Sequence, residues 1–470
     1  MVREVNLFFL DKRTQITLDL VAQIQEDSPE SRLIVVDLSS FHYPLQPPWR
    51  VRGHLCSRST KVLEMFNKLG VDYVNGASRL PNRREFSSSE SVKIGIAIRS
   101  TIMSWHSRGT KKNSRRGLIE ILISRRLSSQ ALRVFSLTKD LLSEFSPTSV
   151  FVENGRFALP HATYLAAQSS QVKVLFYEAS QSDRSVYMHY FRVHDRIEMQ
   201  KNALESTSSL PNSLVNVIAS DFMQKQAKNN SFKSLWSASE DAWKGPRESL
   251  ALFATSSSDE NYSMDLDWNE ASWESQYEAF QAIWNQLKPL NLTPVLRIHP
   301  NMLNKRPSAA RTEIREIKRF QSRNPEFQLV WPQSPVSTDS LISFANVVVV
   351  SNSTVGLEAS LKGVPVICAD SCAYDLIADV VRVLGPKDLI KVAALSKAPD
   401  PLGAQRYVAF QQIKLMHVPE NKFGVVLSNL SKSRLFIASI VDGSIVSIVF
   451  ELRWKIYRWI LLNTSLRAKN

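Results

Sequence analysis

The sequence predicts an α/β protein with two doubly wound parallel sheets, one in each half of the chain, followed by a helical C-terminal tail. Three observations predict it. Apolar runs such as VNLFFL, RLIVVD and NVVVV lack the polar alternation of a half-exposed strand, so they read as strands covered on both faces. Single helical patterns separate these runs, as parallel pairing requires. The alternation fades over a polar middle and then restarts, which divides the chain in two.

The elements follow in order. VNLFFL is a first strand, and TLDLVAQIQE continues with Leu18, Val21 and Ile24 at helical spacing. RLIVVDLSS is a second strand ending in polar residues, and STKVLEMFNKLG is an amphipathic helix that Gly70 closes. After a basic stretch, LRVFSLTKDLLSEF is helical, and SVFVENGRFALPHATYLAAQSSQVKVLFYEAS gives strand, turn, helix, strand. From Asp183 to Glu248 the chain is polar and helical-looking, without a strong strand, and reads as a connection. The pattern restarts with SLALFATSSSDE, WESQYEAFQAIWNQLK and TPVLRIHPN. AARTEIREIKRF, FQLVWPQSP and DSLISFANVVVVSNSTVGLEASLKGVPVICAD complete it. The expected domains are 1–182, a helical connection 183–248, 249–430, and an amphipathic tail 431–470. In that tail Trp454, Tyr457 and Leu461 share one helical face, which suits either a membrane interface or packing back on the first domain.

Composition narrows the function classes. A 44% hydrophobic and 22% charged chain of 470 residues can bury a sizeable core. Its three cysteines, Cys56, Cys368 and Cys372, show no metal-ligand spacing, so reduced thiols, no metal and no cofactor are expected. The N-terminal LFFL is too short for a signal-peptide core, and no apolar run is long enough to span a bilayer, so the cytoplasm is the expected location. The net charge of +14 is concentrated. In RSTIMSWHSRGTKKNSRRGLIEILISRR, from Arg99 to Arg126, Glu120 is the only acid among eight Lys and Arg. Such a stretch reads either as a solvated face or as an attachment to phosphate-rich partners, of which the anionic inner face of a membrane is one. Nucleic acid is not expected, because no recognised nucleic-acid module accompanies the charge.

The chemistry is expected at strand ends. In open α/β sheets ligands sit at the carboxyl ends of strands, beside helix N-termini that bind anions. Val347–Val350 deliver Ser351, Asn352, Ser353 and Thr354 to such a position. Their hydroxyls suit phosphate oxygens, Gly356 offers close backbone approach, and Glu358, about one turn on, suits a ribose diol. The same segment also reads as ordinary helix capping by Ser353 or Thr354. LRIHPN ends a second strand with His299, which Pro300 holds extended, and Lys305 follows. FATSSSDE ends a third with Ser256 among its hydroxyls.

Together HPN, SNSTVGLEASLKGVPVI and ENGRFALPHATYLAA resemble bacterial capsule polysaccharide biosynthesis proteins. These are glycosyltransferases of the two-Rossmann-domain (GT-B) type, related to Kdo transferases and more distantly to bacterial sialyltransferases. The resemblance covers roughly Val150 to Asp370 and departs from the family at Ala345-Asn346, at the basic insertion and in the tail. It implies two Rossmann-like domains facing a cleft and a nucleotide-sugar donor, often a CMP-sugar. It further implies that His299 and Pro300 contact the nucleotide, that Ser351, Ser353 and Thr354 hold its phosphate, and that Glu358 takes the ribose. The acceptor would be a surface glycan or a lipid-linked sugar.

The acceptor side is then expected on the first domain, where FVENGRF ends a strand with Glu153, Asn154 and Arg156. Inverting transfer needs a base near the attacking hydroxyl, for which Glu153 comes first and Glu178 second. Arg156 suits a donor carboxylate or phosphate. Glu153 and Arg156 also read as a structural ion pair. No paired-aspartate constellation marks a divalent metal. Two other readings fit the same residues: a polyol-phosphate polymer transferase, and a non-catalytic protein that binds nucleotide sugars or polysaccharide.

Overall fold

The computed structural model describes residues 4–11, 14–38, 41, 60–79, 81–82, 84–106, 118–179, 184–229, 242–257, 264, 268, 270–300, 302, 307–395 and 398–419. The C-terminal tail, the middle of the basic stretch, Asn301 and Lys305 lie outside them. The chain opens with β1 (Val5–Leu10), α1 (Gln15–Asp27), β2 (Arg32–Asp37), α2 (Thr60–Lys68) and β3 (Asp72–Asn75). It continues with α3 (Ser88–His106), α4 (Leu118–Phe145), β4 (Ser149–Glu153), α5 (Ala158–Gln168), β5 (Lys173–Ala179) and β6 (Ser185–His189). Next come α6 (Arg196–Thr207), α7 (Asn212–Asn229), β7 (Leu250–Ala254), α8 (Gln276–Leu287), β8 (Thr293–Arg297), α9 (Pro307–Arg323) and β9 (Gln328–Val330). Last are α10 (Thr338–Phe344), β10 (Ala345–Val350), α11 (Thr354–Leu361), β11 (Val366–Cys368), β12 (Val381–Arg382), α12 (Leu402–Ile413) and β13 (Leu415–His417). Among the described residues no helix is long and apolar enough to cross a membrane.

These elements form two compact units. The first contains the described residues up to Trp105, residues 118–194 and those from Lys414 onward. Its seven-stranded sheet runs β13-β6-β5-β4-β1-β2-β3. The uninterrupted apolar strands have the cause expected of them, burial on both faces. Along β1, Leu7 and Phe9 pack with α3, α4 and α5, whereas Phe8 and Leu10 pack with α1 and α2. The five strands from β3 to β5 are parallel, but β6 joins β5 antiparallel, and β13 joins β6 antiparallel. This corrects two expectations. The segment after Asp183 is not wholly a helical connection, because Ser185–His189 is a strand of this sheet. The sheet is also not wholly parallel, because β6 and β13 add antiparallel beyond β5, with β13 at the edge.

The second unit holds Asp195–Ile413. Its six-stranded sheet runs β12-β11-β10-β7-β8-β9, all parallel. One face packs Phe253, Val347, Val349 and Ile367 against Phe280, Ile283 and Trp284 of α8 and Phe320 of α9. The alternate residues Leu252, Val348 and Val350 are also fully buried. Each unit is therefore an α/β layer of the doubly wound class. A buried ion network fixes the start of α6 inside the second unit. Arg196 donates to Asp375 and Glu270, each at 2.6 Å, and Arg382 bonds Glu270 as well.

Candidate functional site

Strand order locates the crevice in each unit. In a doubly wound sheet, ligands bind outside the carboxyl ends of the two strands where the winding reverses. In the second unit those strands are β7 and β10, neighbours in the sheet whose chains continue in opposite directions across it. Their loops are joined directly, because the Ser256 hydroxyl accepts from Asn352 N at 2.8 Å. Gln276, at the start of α8, clamps Ser256 by accepting from its N–H (2.9 Å) and donating to its carbonyl (3.3 Å). Thr255 then ties in the next strand end, its hydroxyl accepting from His299 N at 2.8 Å. Ser256, His299, Ser351 and Ser353 thus come from three strand ends held on one edge. Two residues before His299, Arg297 is buried and donates to Trp331 O (2.8 Å) and Thr338 Oγ1 (3.3 Å). Burial lowers it to about 10, so it stays charged at neutral pH.

Ser353 is the N-cap of α11, its hydroxyl accepting from Val355 N at 3.3 Å. Thr354 is exposed in the first turn, and Ser351 is buried. Gly356 serves a purpose other than the one the sequence suggested. A Cβ there would overlap the Tyr374 hydroxyl, which donates to Ser353 O at 2.7 Å. The close approach that glycine permits is made by a tyrosine of the same unit. Glu358 is half-buried, and its carboxyl is raised to about 7, first by burial and then by Asp339, with Lys362 opposing. Lys362 is engaged elsewhere, at 2.6 Å from Asp339. The described residues give the Glu358 carboxylate no hydrogen-bond donor, which leaves it a costly charge awaiting one.

In the first unit the winding reverses between β1 and β4. There β4 ends at Glu153, half-buried and in register with Tyr177 of β5. Asn154 (φ 59°) and Gly155 (φ 74°) follow, both left-handed. A Cβ on Gly155 would strike the Phe176 ring as well, so glycine is required twice over. The turn aims the Asn154 side chain along β5. Asn154 Oδ1 accepts from Arg156 N (3.2 Å), which fixes the amide orientation, and Nδ2 donates to Glu178 Oε1 (2.9 Å). His194, which the sequence reading missed, completes the group. Its Nε2 lies 3.2 Å from Glu178 Oε2 and 3.0 Å from Asn154 Nδ2. Burial works to raise Glu178, but His194, Arg156 and the Asn154 bond outweigh it and hold the carboxyl below its usual range. The Arg156 guanidinium stacks 4.6 Å from the centre of the Phe157 ring and acts on Glu178 electrostatically. His161 Nδ1 donates to Gly155 O (2.8 Å) and so supports the turn. His189, stacked on Phe191 and lowered to about 4 chiefly by burial, is neutral and structural.

No family model matches the chain, and no curated protein matches it. Solved structures do. One is a beta Kdo 2,4 transferase, KpsC of Thermosulfurimonas dismutans, with 9% identity, 56% of this chain and 80% of that chain covered, and a TM-score of 0.35. The beta Kdo 2,7 transferase of the same protein shares 12%, covering 64% and 87%, with a TM-score of 0.35. A UDP-GlcNAc 2-epimerase from Neisseria meningitidis, bound to UDP-GlcNAc, shares 12% over 94% and 100%, with a TM-score of 0.31. Likenesses this loose transfer neither an activity nor a residue role.

Proposed function

We propose that the protein is a glycosyltransferase that moves a sugar from a nucleotide-activated donor to a surface or capsular polysaccharide or a lipid-linked acceptor. The motif resemblance implies a nucleotide-sugar donor, in that family often a CMP-sugar. The observation that carries the reading is the reversal point of the second sheet. Hydroxyls of Ser256, Ser351 and Ser353, the His299 turn and the start of α11 share one edge there, with Glu358 lacking a donor nearby. Phosphate oxygens suit the hydroxyls, His299 and the helix N-terminus. Two ribose hydroxyls suit the Glu358 carboxylate. Pro300 keeps His299 extended, and Thr354 offers a further hydroxyl. Hydroxyl and N–H donors, with no metal called upon, would meet the charge that develops on the leaving phosphate.

The transfer itself forms a bond from the acceptor oxygen to the anomeric carbon and breaks the bond from that carbon to the phosphate oxygen. The nucleotide leaves with the electron pair, and the acceptor proton goes to a base. The first unit supplies the base in this reading. Glu153 was the sequence candidate, but the geometry favours His194 backed by Glu178. Nε2 can serve one neighbour at a time: holding a proton it donates to Glu178 Oε2, and the 3.0 Å approach of Asn154 Nδ2 is then no hydrogen bond. Nδ1 carries the lone pair, and the carboxylate stabilises the imidazolium that forms. Asn154 holds Glu178 in place, and Arg156 offers a cation for a donor carboxylate. The reaction is placed in the cytoplasm.

Calorimetric titration of CMP, CDP, UDP, GDP and their sugars into the wild type and His299→Ala tests the reading. It expects one nucleotide class to bind, with at least about tenfold weaker binding in the variant. Binding by none of them would overturn it. Binding without turnover, together with a dispensable His194, would turn it into a non-catalytic receptor.

A further inference from the structure

Neither site uses α3 and α4, the helices that flank the most basic stretch of the sequence. Both bury one face in the same core, α3 through Ile94, Ala97 and Ile98 and α4 through Ile123, Leu127 and Ala131. Their other faces combine two features that rarely coexist on a solvated helix. Large aliphatic side chains are open to solvent: Val92 is 66% exposed, Leu122 55% and Ile121 37%. Exposed cations stand among them, Lys93 and Arg99 on α3 and Arg125 and Arg126 on α4. From Ile121 to Arg126 only Ile123 is buried. No acid occurs between Ser91 and His106 or between Ile121 and Lys139. Glu90, the acid that opens α3, caps its own helix by accepting from Ser87 N at 2.8 Å.

We propose that the exposed aliphatic and basic side chains of α3 and α4 dock the protein on a membrane surface rich in anionic phospholipid. The chemistry selects that partner over others. Arginine and lysine gain from the negative potential of phospholipid headgroups. Leu122, Ile121 and Val92 gain from the acyl boundary just below, and a mixed apolar and basic helix face is the form that lies in such an interface. A nucleic-acid backbone would reward the cations and leave the aliphatics in water. A second copy of the same cationic face would be repelled. The inference does not depend on which sugar is moved, or on whether one is.

The test is co-sedimentation of the full chain with vesicles of phosphatidylcholine alone and with vesicles that are about one third phosphatidylglycerol. Binding is expected only to the anionic vesicles, weakening as salt is raised. Arg125→Glu with Arg126→Glu should reduce the partition coefficient by at least about tenfold. Leu122→Ser should reduce it about threefold and remove most of the binding that survives raised salt. These positions are exposed, so thermal melts of the variants should match the wild type. Equal binding to neutral vesicles would overturn the proposal, as would unchanged binding by the charge-reversed variant. So would retention of the chain by RNA or DNA homopolymers with none by vesicles, because that would assign the face to nucleic acid.

Discussion

The two units bring different chemistry to the same place in the same kind of sheet. At the reversal point of the second unit, the groups are hydroxyls, backbone N–H and a histidine held by its own backbone, with Glu358 the one carboxylate the reading uses. At the reversal point of the first, a carboxylate, an imidazole and an amide lie within 3.2 Å of one another, beside an arginine. Neutral donors can hold an anion without changing state, whereas a carboxylate–imidazole pair can take up a proton and stabilise the resulting charge. In the proposed reading the second edge holds and the first moves protons. One fold supplies both because its strand ends accept any side chain whose loop can be anchored.

The sharpest way to break this comparison is to exchange the effects of the two edges. Glu178→Gln and His194→Gln should each lower kcat by about 10²–10⁴ while leaving the nucleotide Kd within about twofold. His299→Ala should do the reverse at first order, raising the nucleotide Kd. Glu153→Gln decides between the two candidate bases. If it is the severe change and His194→Gln is mild, proton transfer belongs to Glu153 and the imidazole is only a neighbour. A loss of nucleotide binding in His194→Gln would erase the division of labour altogether.

Next in size are the two glycines, which differ in why they are needed. Gly155 is left-handed and faces the Phe176 ring, so Gly155→Ala meets both backbone strain and a rigid obstacle. A loss of about 3–4 kcal/mol is expected in denaturant titration. Gly356 is not left-handed, and a Cβ there would overlap the Tyr374 hydroxyl and press on Val350 Cγ2. Gly356→Ala should cost about 2 kcal/mol, and adding Tyr374→Phe should recover part of it, because the obstructing oxygen is gone. No recovery in the double variant would mean that the backbone of α11, rather than the tyrosine, sets the limit.

How much of this could be read beforehand follows the range of the interactions. Strands β1, β2, β4, β5 and β7 to β11 were legible because burial on two faces writes apolar runs, whereas β3, β12 and β13, two to four residues long, left none. The serine-rich turn after β10 and the His299 turn were legible because strand ends leading into helices have a local signature. β6 was not, because SVYMH is short, half-polar and stabilised by edge pairing with β5 and β13 from far along the chain. His194 was missed for a related reason: it lies 16 residues after Glu178, beyond β6, and only the return of that strand brings the ring to the carboxylate. Gly356 was read as a space for ligand because the sequence does not reveal that Tyr374 folds back on it. Gln276, which clamps Ser256 from 20 residues away, left no local signal at all.

The smallest effect tests Glu358, the one carboxylate the reading uses in the second unit. Glu358 ordinarily ionises near 4.5, and in the folded chain it does so at about 7. Below pH 4.5 it is protonated in both folded and unfolded chains. Between 4.5 and about 7 the unfolded chain loses the proton first, so the stability contributed by the neutral carboxyl declines as pH rises across that window and then levels off. Glu358→Gln keeps the neutral form at every pH, and its advantage over the wild type should grow to about 1–3 kcal/mol between pH 5 and pH 8. Nucleotide binding should run the opposite way. A ribose diol donates to the ionised carboxylate, so wild-type affinity should rise through pH 7, and binding at pH 7 should release a proton, seen as a calorimetric enthalpy that depends on the buffer's ionisation heat. The variant should be more stable and bind more weakly, with no buffer dependence. If its affinity matches the wild type at pH 8, the ribose lies elsewhere, and the strained carboxylate would have to be explained by a ligand other than a nucleotide.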